Sequence, residues 1–452
     1  MARLFGTDGV RGVANQGLSC ELAMAIGAAG AYVLASEVHS PRILVGMDTR
    51  KSGDMLSCAL MAGICSVGGD AVQVGVLPTP AIAYLVRLYD ADAAVMISAS
   101  HNPMEYNGIK WFDGNGFKLS DALEDRIEAI INGKEELPRP VGGGVGRVTR
   151  VRRAKDEYRE FLQSTATGRL DGLKIVLDCA NGASSQIAAE VFRGLGAEVL
   201  PFSDEPDGYN INDQCGSTHP ERLQQLVSEL GADIGLAFDG DADRLIATDE
   251  RGIIVDGDRI MGICALAMQQ AGTLKDNTLV ITVMSNLGLK QRMHQAGIHL
   301  EETAVGDRYV LERMMEKGYN LGGEQSGHMI FLNHHTTGDG MLSAIQLLNV
   351  LHASGKRMSA LAREIPIYPQ VLVNVRVEDN AKEAAMKDEA MWDRIRQIQA
   401  EMGEQGRVLV RASGTEPLIR IMLEGKDEEQ IRDYALSLAK ILEQNHQGRI
   451  KS

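Results

Sequence analysis

Residues 96–103 read Met-Ile-Ser-Ala-Ser-His-Asn-Pro, a polar turn at the end of an apolar run. A serine beside a histidine pairs a hydroxyl nucleophile with a proton partner or charge neighbour. Pro103 fixes φ and Asn102 tolerates unusual backbone angles. Val95, Met96 and Ile97 are therefore expected to end a buried strand that opens into a loop displaying Ser100. Lys110 follows shortly after. With Arg11, in the early run Gly6-Thr7-Asp8-Gly9-Val10-Arg11-Gly12, it offers cations for a phosphate. A second loop, Asp239-Gly240-Asp241-Ala242-Asp243-Arg244, directly follows the apolar run Ile234–Phe238. Three carboxylates at alternate positions of an extended segment project to one side. Such crowding is unfavourable unless a cation neutralises it, and three hard oxygens with room for a phosphate oxygen suit Mg²⁺. An EF-hand would place Glu250 at the last loop position. It fails because Arg244 stands where the turn glycine is required, and a strand rather than a helix precedes the loop.

Two further loops carry polar side chains on glycine-rich backbone. In Gly322-Gly323-Glu324-Gln325-Ser326-Gly327-His328, paired glycines allow close approach to a ligand. Glu324 and Ser326 can read vicinal hydroxyls, and His328 can move protons near neutral pH. In Arg411-Ala412-Ser413-Gly414-Thr415-Glu416-Pro417, followed by Arg420, the guanidiniums, hydroxyls and exposed N–H groups form a candidate phosphate cradle. The chain has no GxxxxGK[ST] loop, no GxGxxG after a strand, no GxSxG and no HExxH. These absences argue against P-loop NTPases, dinucleotide enzymes and the common hydrolase and zinc-protease classes.

The elements that must position these loops follow a repeated pattern. Ile43–Val45, Ile175–Leu177 and Leu279–Thr282 each read as a strand running into a polar loop. Each has a second strand–loop unit downstream, at Ala94–Ile97, Ile234–Phe238 and Thr303–Val305. Three related α/β units in series are expected. Thr218-His219-Pro220-Glu221 offers a cap, an early proline and a capping-box glutamate. Leu223, Leu226, Val227 and Leu230 then predict one buried helix face, ended by Gly231. Residues 133–150 are rich in proline and glycine and read as a linker. Alternating Val371, Val373, Val375 and Val377, strands at Val408–Val410 and Ile419–Leu423, and a helix over Asp427–Leu442 predict a closing α+β domain. The expected domains are 1–150, 151–252, 253–366 and 367–452.

The 452 residues carry a net charge of −15, which disfavours nucleic acid as a partner but not a small anion held by local cations. Six scattered cysteines without a CxxC pair read as reduced packing residues. There is no 18-residue apolar run, so a soluble cytoplasmic protein without membrane contact is expected.

Together the glycine-rich start, the Ser98–Pro103 turn, Asp239–Arg244, Gly323–His328 and Arg411–Pro417 strongly resemble the α-D-phosphohexomutase superfamily over essentially the whole chain. The Glu324-Gln325-Ser326 version of the sugar loop is similar to its glucosamine branch, whereas the phosphomannomutase/phosphoglucomutase branch more often carries Met at the middle position. Met104, Glu105, Tyr106 and Trp111 depart from the family pattern near Ser100. The resemblance implies an α/β fold, three similar mixed domains plus a C-terminal α+β domain around a central cleft, the last domain hinging near Ile365–Pro369.

It implies that Ser100 carries a phosphate and exchanges it with glucosamine 6-phosphate and 1-phosphate through a 1,6-bisphosphate. A hexose 1,6-bisphosphate would act as activator or intermediate. Mg²⁺, one per subunit, would be held by Asp239, Asp241, Asp243 and a phosphoserine oxygen. Arg11, Lys110 and Arg244 would add positive charge. His101 would orient the loop or the phosphate. His328 and Lys110 are both candidates for general acid/base. Gly306, Glu324 and Ser326 would meet the sugar, and Arg411, Ser413, Gly414, Thr415 and Arg420 the distal phosphate. The resemblance also admits a homodimer through the first domain. Phosphoglucomutase/phosphomannomutase activity is the alternative on the same scaffold. A non-catalytic sugar-phosphate-binding protein and a Mg²⁺-dependent phosphatase are the alternatives from other classes.

Overall fold

Mainly apolar runs of five residues buried on both faces are the signature of central strands in a covered sheet, and Ala93–Ile97, Ile234–Phe238 and Thr278–Thr282 are such runs. The computed structural model describes residues 3–6, 8–34, 40–133, 135–378, 381–413 and 417–451. They divide into two compact units, Met1–Met284 with Ala296–Glu364, and Ser285–Gln295 with Ile365–Ser452.

The first unit contains three sheets. The first holds β1 (Val10–Val13), β2 (Arg42–Met47), β3 (Asp70–Val76), β4 (Ala93–Ile97), β5 (Tyr106–Asp113) and β6 (Val148–Arg150), in the order β1-β5-β4-β2-β3-β6. The second holds β7 (Lys174–Asp178), β8 (Glu198–Phe202), β9 (Ile234–Phe238), β10 (Leu245–Asp249) and β11 (Ile254–Val255), in the order β11-β10-β9-β7-β8. The third holds β12 (Thr278–Thr282), β13 (His299–Thr303), β14 (Leu321–Gly323) and β15 (Met329–Phe331), in the order β13-β12-β14-β15.

One four-strand core recurs three times. A first strand is flanked by two parallel partners, and the second of these turns back into an antiparallel fourth. The repeat expected from the sequence is therefore present. Its third copy differs from expectation: Thr303 ends β13, Ala304 and Val305 are exposed, and the counterpart of β4 and β9 is β14. With three residues, two of them glycine, β14 gives almost no hydrophobic signal.

Other differences are local. The stretch read as a linker ends in β6, which pairs with β3. The helix Glu221–Leu230 begins after Pro220 with no side-chain cap, so Thr218 does not serve as one; Gly231, at φ 60°, ends it as expected. Its buried face is narrower than the spacing suggested, because Leu230 is exposed while Leu223 and Val227 are buried. Cys58 is exposed rather than a packing residue, and all six cysteines are free. Trp111 packs its ring over Gly30, where a Cβ would lie 2.2 Å from it, so this departure from the family pattern serves the core.

In the second unit, β16 (Gln370–Arg376), β17 (Gly406–Ala412), β18 (Leu418–Gly425) and β19 (Arg449–Lys451) form an antiparallel sheet in the order β17-β18-β16-β19. Val371, Val375, Ile419, Ile421 and Leu423 share a core with Ile431, Ala435, Leu438 and Leu442 of the helix Glu428–His446. Asp427 caps that helix by accepting from the N–H groups of Glu429 and Gln430. The segment Ser285–Gln295 belongs to this unit: Leu287 N–H donates to Glu424, and Arg407 donates to the Ser285 carbonyl. Among the described residues no helix is long and apolar enough to cross a membrane.

Candidate active site

Each repeat contributes the loop between its third and fourth core strands. The β4–β5 loop carries Ser100, the β9–β10 loop Asp239–Arg244, and the β14–β15 loop Glu324–His328. Equivalent positions on three similar sheets thus supply three different chemistries.

Ser100 sits in the left-handed region, at φ 52°, which an L-residue adopts only when its surroundings hold it. Its carbonyl accepts from Arg50 at 2.8 Å and from Asn212 at 2.9 Å. Its N–H donates to Ser98 Oγ, which in turn donates to Asp48. The buried Arg50 guanidinium pairs with Asp48 and also donates to the carbonyls of Asn102, Pro103 and Tyr106, so one side chain ties down most of the turn. Sequence reading missed Arg50 and Asp48; the only signal was their place in the polar loop after β2.

Truncating one partner of a buried pair leaves the other charge stranded, at a cost of about 3–5 kcal/mol. Arg50→Met should therefore lower the melting temperature and turnover together, and Arg50→Lys should not restore them, because an ammonium lacks the planar fork. Thermal unfolding followed by circular dichroism, with turnover assayed alongside, checks this. Full activity in a folded Arg50→Met protein would show that the turn holds itself.

Ser100 Oγ donates to Asp239 Oδ2 at 2.6 Å and lies 3.3 Å from His101 Nδ1. Burial, with Arg244 and Arg11 nearby, pulls His101 down to about 4, so its imidazole is neutral at neutral pH. The Asp239, Asp241 and Asp243 oxygens lie within 4.8 Å of one another. They converge through a turn rather than along an extended strand, which corrects the expectation of alternating side chains. Ala242 is left-handed at φ 55°, and its N–H donates to the Asp239 carbonyl. Three neighbours hold the turn: Ala183 N–H donates to the Gly240 carbonyl, Thr79 N–H to that of Asp241, and Gly340 N–H to that of Ala242. Gly240 is required because a Cβ there would lie 2.6 Å from the Ser100 carbonyl, so its smallness lets the aspartate loop reach the serine.

Burial and the charges of Asp243 and Asp241 push Asp239 well above the carboxylate range. Asp241 Oδ1 and Asp243 Oδ1 are buried and accept no hydrogen bond. Buried carboxylate oxygens are normally satisfied, and a hard divalent cation is the partner that three convergent carboxylates fit. The three aspartates could hold a metal ion.

Cations surround the triad. Lys110 is buried and its ammonium lies 2.7 Å from Asp241 and 2.9 Å from Asp8. Burial alone would lower it, but Asp241, Asp8 and Asp243 hold it above its usual value, as a cation. Arg11 pairs with Asp8. Arg244 Nε is 3.8 Å from Asp243 and makes no hydrogen bond, which leaves it able to meet an anion. His328 lies 3.5 Å from Asp243 and 3.6 Å from Asp307, and its Nε2 makes no hydrogen bond. Glu324 accepts from the Gly306 N–H at 3.0 Å, joining two residues expected at the sugar, while Ser326 is exposed. Glu250 accepts from Ser359 N–H and Oγ, far from any EF-hand role. Asp8, Thr79, Lys118, Asn212 and Asp307 were also missed, since only the folded chain brings them here.

In the second unit, Arg411 and Arg420 face each other across β17 and β18. Burial and the charge of Arg420 lower Arg411. Like charges directly opposite are unfavourable unless an anion joins them. Ser413 is buried beside them, and Gly414 and Thr415 lie outside the described residues.

Domains I, II and III of phosphoglucomutase/phosphomannomutase, described as alpha/beta/alpha domains, match residues 2–138, 156–252 and 256–368, and the C-terminal domain of that family matches 372–441. The chain belongs to the phosphoglucomutase/phosphomannomutase family. It is 57% identical to the phosphoglucosamine mutase of a Thermoanaerobacter species over 98% of this chain and 99% of that protein. It is 56% identical to the phosphoglucosamine mutase of Acetivibrio thermocellus, with the same coverage. A phosphoglucomutase/phosphomannomutase family protein of Burkholderia thailandensis superposes with a TM-score of 0.82 at 26% identity, covering 99% of each chain. Aspergillus fumigatus N-acetylphosphoglucosamine mutase, solved with GlcNAc-6P and magnesium, shares the fold, with a TM-score of 0.68 at 17% identity over 97% of this chain and 95% of that one.

Proposed function

We propose that this family member is a phosphoglucosamine mutase, interconverting glucosamine 6-phosphate and glucosamine 1-phosphate through a phosphoserine at Ser100 and a glucosamine 1,6-bisphosphate. The observation that carries this reading is the contact of Ser100 Oγ with Asp239, at the meeting point of the three repeat loops. The glucosamine phosphates, rather than glucose or mannose phosphates, follow from relatives at 53–57% identity over nearly the full chain that bear the name phosphoglucosamine mutase.

In the forward direction the phosphoryl group moves from Ser100 Oγ to the 1-hydroxyl oxygen of glucosamine 6-phosphate. The Ser100 O–P bond breaks as the sugar O–P bond forms, and the hydroxyl proton passes to a base. The bisphosphate then turns in the site, and Ser100 takes back the 6-phosphoryl group. Transfer of this kind needs positioning and charge neutralisation more than covalent assistance. Lys110, Arg244 and Arg11 supply fixed positive charge. Asp239, Asp241, Asp243 and Ser100 would hold Mg²⁺, which neutralises charge on the phosphoryl oxygens. Lys110 and His328 are the two candidates for the proton; Lys110 is paired with Asp241 and Asp8, and His328 lies between Asp243 and Asp307. Neutral His101 orients the serine turn. Gly306, Glu324 and Ser326 are assigned to the sugar, and Arg411, Ser413, Gly414, Thr415 and Arg420 to the other phosphate.

One charge-assisted contact to a phosphate is worth about 1.5–3 kcal/mol. Arg411→Ala should therefore raise KM for the sugar phosphate roughly 10- to 100-fold with a smaller change in kcat. Unaltered steady-state kinetics would mean the cradle lies elsewhere. The reading as a whole is tested by turnover with Mg²⁺ and a hexose 1,6-bisphosphate, comparing glucosamine 6-phosphate with glucose and mannose 6-phosphates. Preference for the amino sugar supports it. Equal or better turnover of glucose or mannose phosphates would instead place the chain with phosphoglucomutases/phosphomannomutases.

A further inference from the structure

The ion pairs around the aspartate triad form a chain that leaves the triad at Asp241 and returns to it at Asp243. From Asp241 it runs to Lys110 (2.7 Å), to Asp8 (2.9 Å), to Lys118 (2.6 Å), to Asp307 (2.5 Å), to His328 (3.6 Å) and back to Asp243 (3.5 Å). The mechanism above uses none of Asp8, Lys118 and Asp307, and of these Lys118 is the cation that ties the first repeat to the third. Its backbone is fixed independently. Lys118 bridges Phe112 across a tight turn in which Asp113 accepts from the N–H groups of Asn115 and Phe117. Asp307 opens the helix Asp307–Lys317, and the preceding Gly306 N–H is bonded to Glu324. The ammonium of Lys118 therefore touches the residue that leads to the sugar loop and the residue that steadies Lys110.

We infer that Lys118 is a positioning residue for phosphoryl transfer, which locks the sugar loop and His328 of the third repeat in register with Ser100 of the first. The inference rests on the phosphoryl-transfer reading of this site. Lys118 does not touch the reacting atoms; it acts through Asp8 and Asp307. A buried ion pair with two carboxylates fixes geometry more than it adds stability, and misplacement of a catalytic group by about 1 Å can cost on the order of 100-fold in rate.

The test is a double-mutant cycle on the full chain with Mg²⁺ and a hexose bisphosphate, using Lys118→Met, Asp307→Asn and the pair. Lys118→Met should lower kcat by about tenfold or more while KM changes much less. The pair should lose no more than the worse single variant, because both break one link. Lys118→Arg, which can still reach both carboxylates, should recover most of kcat. Hydrogen exchange, which needs no substrate and reads a poorly folding variant segment by segment, should show faster exchange in Lys118→Met over residues 304–310 and 324–328 but not over β2 or β7. A kcat within twofold of wild type, fully additive losses, no recovery in Lys118→Arg, or exchange that rises everywhere or nowhere would each overturn the inference. Wild-type turnover judges the sugar-phosphate reading separately. Should the amino sugar not turn over, the same ratios are read with glucose 6-phosphate.

Discussion

Ser100→Ala should lower isomerisation by about 10⁴-fold or more, because the group that accepts and returns the phosphoryl is gone and no neighbour can replace it. The protein should remain folded. The left-handed turn is held through the Ser100 carbonyl, by Arg50 and Asn212, and not through its hydroxyl. The substitution removes the hydroxyl's hydrogen bonds to Asp239 and His101, and Asp239 keeps the Arg244 N–H at 3.3 Å. Depriving one buried acceptor of its donor costs about 1–3 kcal/mol. The expected signature is thus a near-complete loss of turnover with a small drop in melting temperature and with sugar-phosphate binding retained. Turnover within tenfold of wild type would remove the phosphoserine from the mechanism.

Asp241→Asn should produce the second largest effect, and a different one. Asp241 Oδ2 accepts from Thr79 Oγ1 at 2.5 Å and from Lys110 at 2.7 Å, while Oδ1 is buried without a hydrogen bond. An amide can keep its oxygen toward Thr79 and Lys110 only by turning its NH₂ group toward Asp239 and Asp243. That orientation places donors where a cation would sit and removes one negative charge. Metal affinity should fall roughly 10- to 100-fold or more, and turnover at fixed Mg²⁺ should fall by a similar factor. Calorimetric titration with Mg²⁺ reads the affinity without any turnover. A titration identical to wild type would dissociate the triad from metal binding.

What the sequence disclosed and what it hid follow from distance along the chain. Ser100, the three aspartates, Glu324, His328 and Arg411 stand in contiguous runs whose types and spacing already imply chemistry, so their loops were legible. Lys118, Asp8 and Asp307 were not, since Lys118 meets its partners across 110 and 189 positions and each alone reads as an ordinary charge. Arg50 was hidden for the same reason: its value lies in the carbonyls it gathers from a turn about 50 positions away. The repeat was visible where the strands are long and apolar, as at β4 and β9. It was misplaced at β14, where glycines chosen for close approach erase the hydrophobic signal. The aspartate triad was recognised for its composition but misjudged in shape. Alternation along a strand brings side chains to one face, whereas here a left-handed Ala242 folds them onto one point.

The most direct measurement of the central claim follows the phosphoryl group itself. Enzyme carrying a radiolabelled phosphate on Ser100, mapped by peptide analysis, is mixed with unlabelled glucosamine 6-phosphate for a single turnover. The phosphoserine mechanism predicts that label leaves the Ser100 peptide for the sugar pool at the rate of product formation, while Ser100 stays phosphorylated, now with unlabelled phosphate from the substrate. Label that remains on Ser100 while glucosamine 1-phosphate accumulates, or that appears as inorganic phosphate in step with turnover, would contradict it.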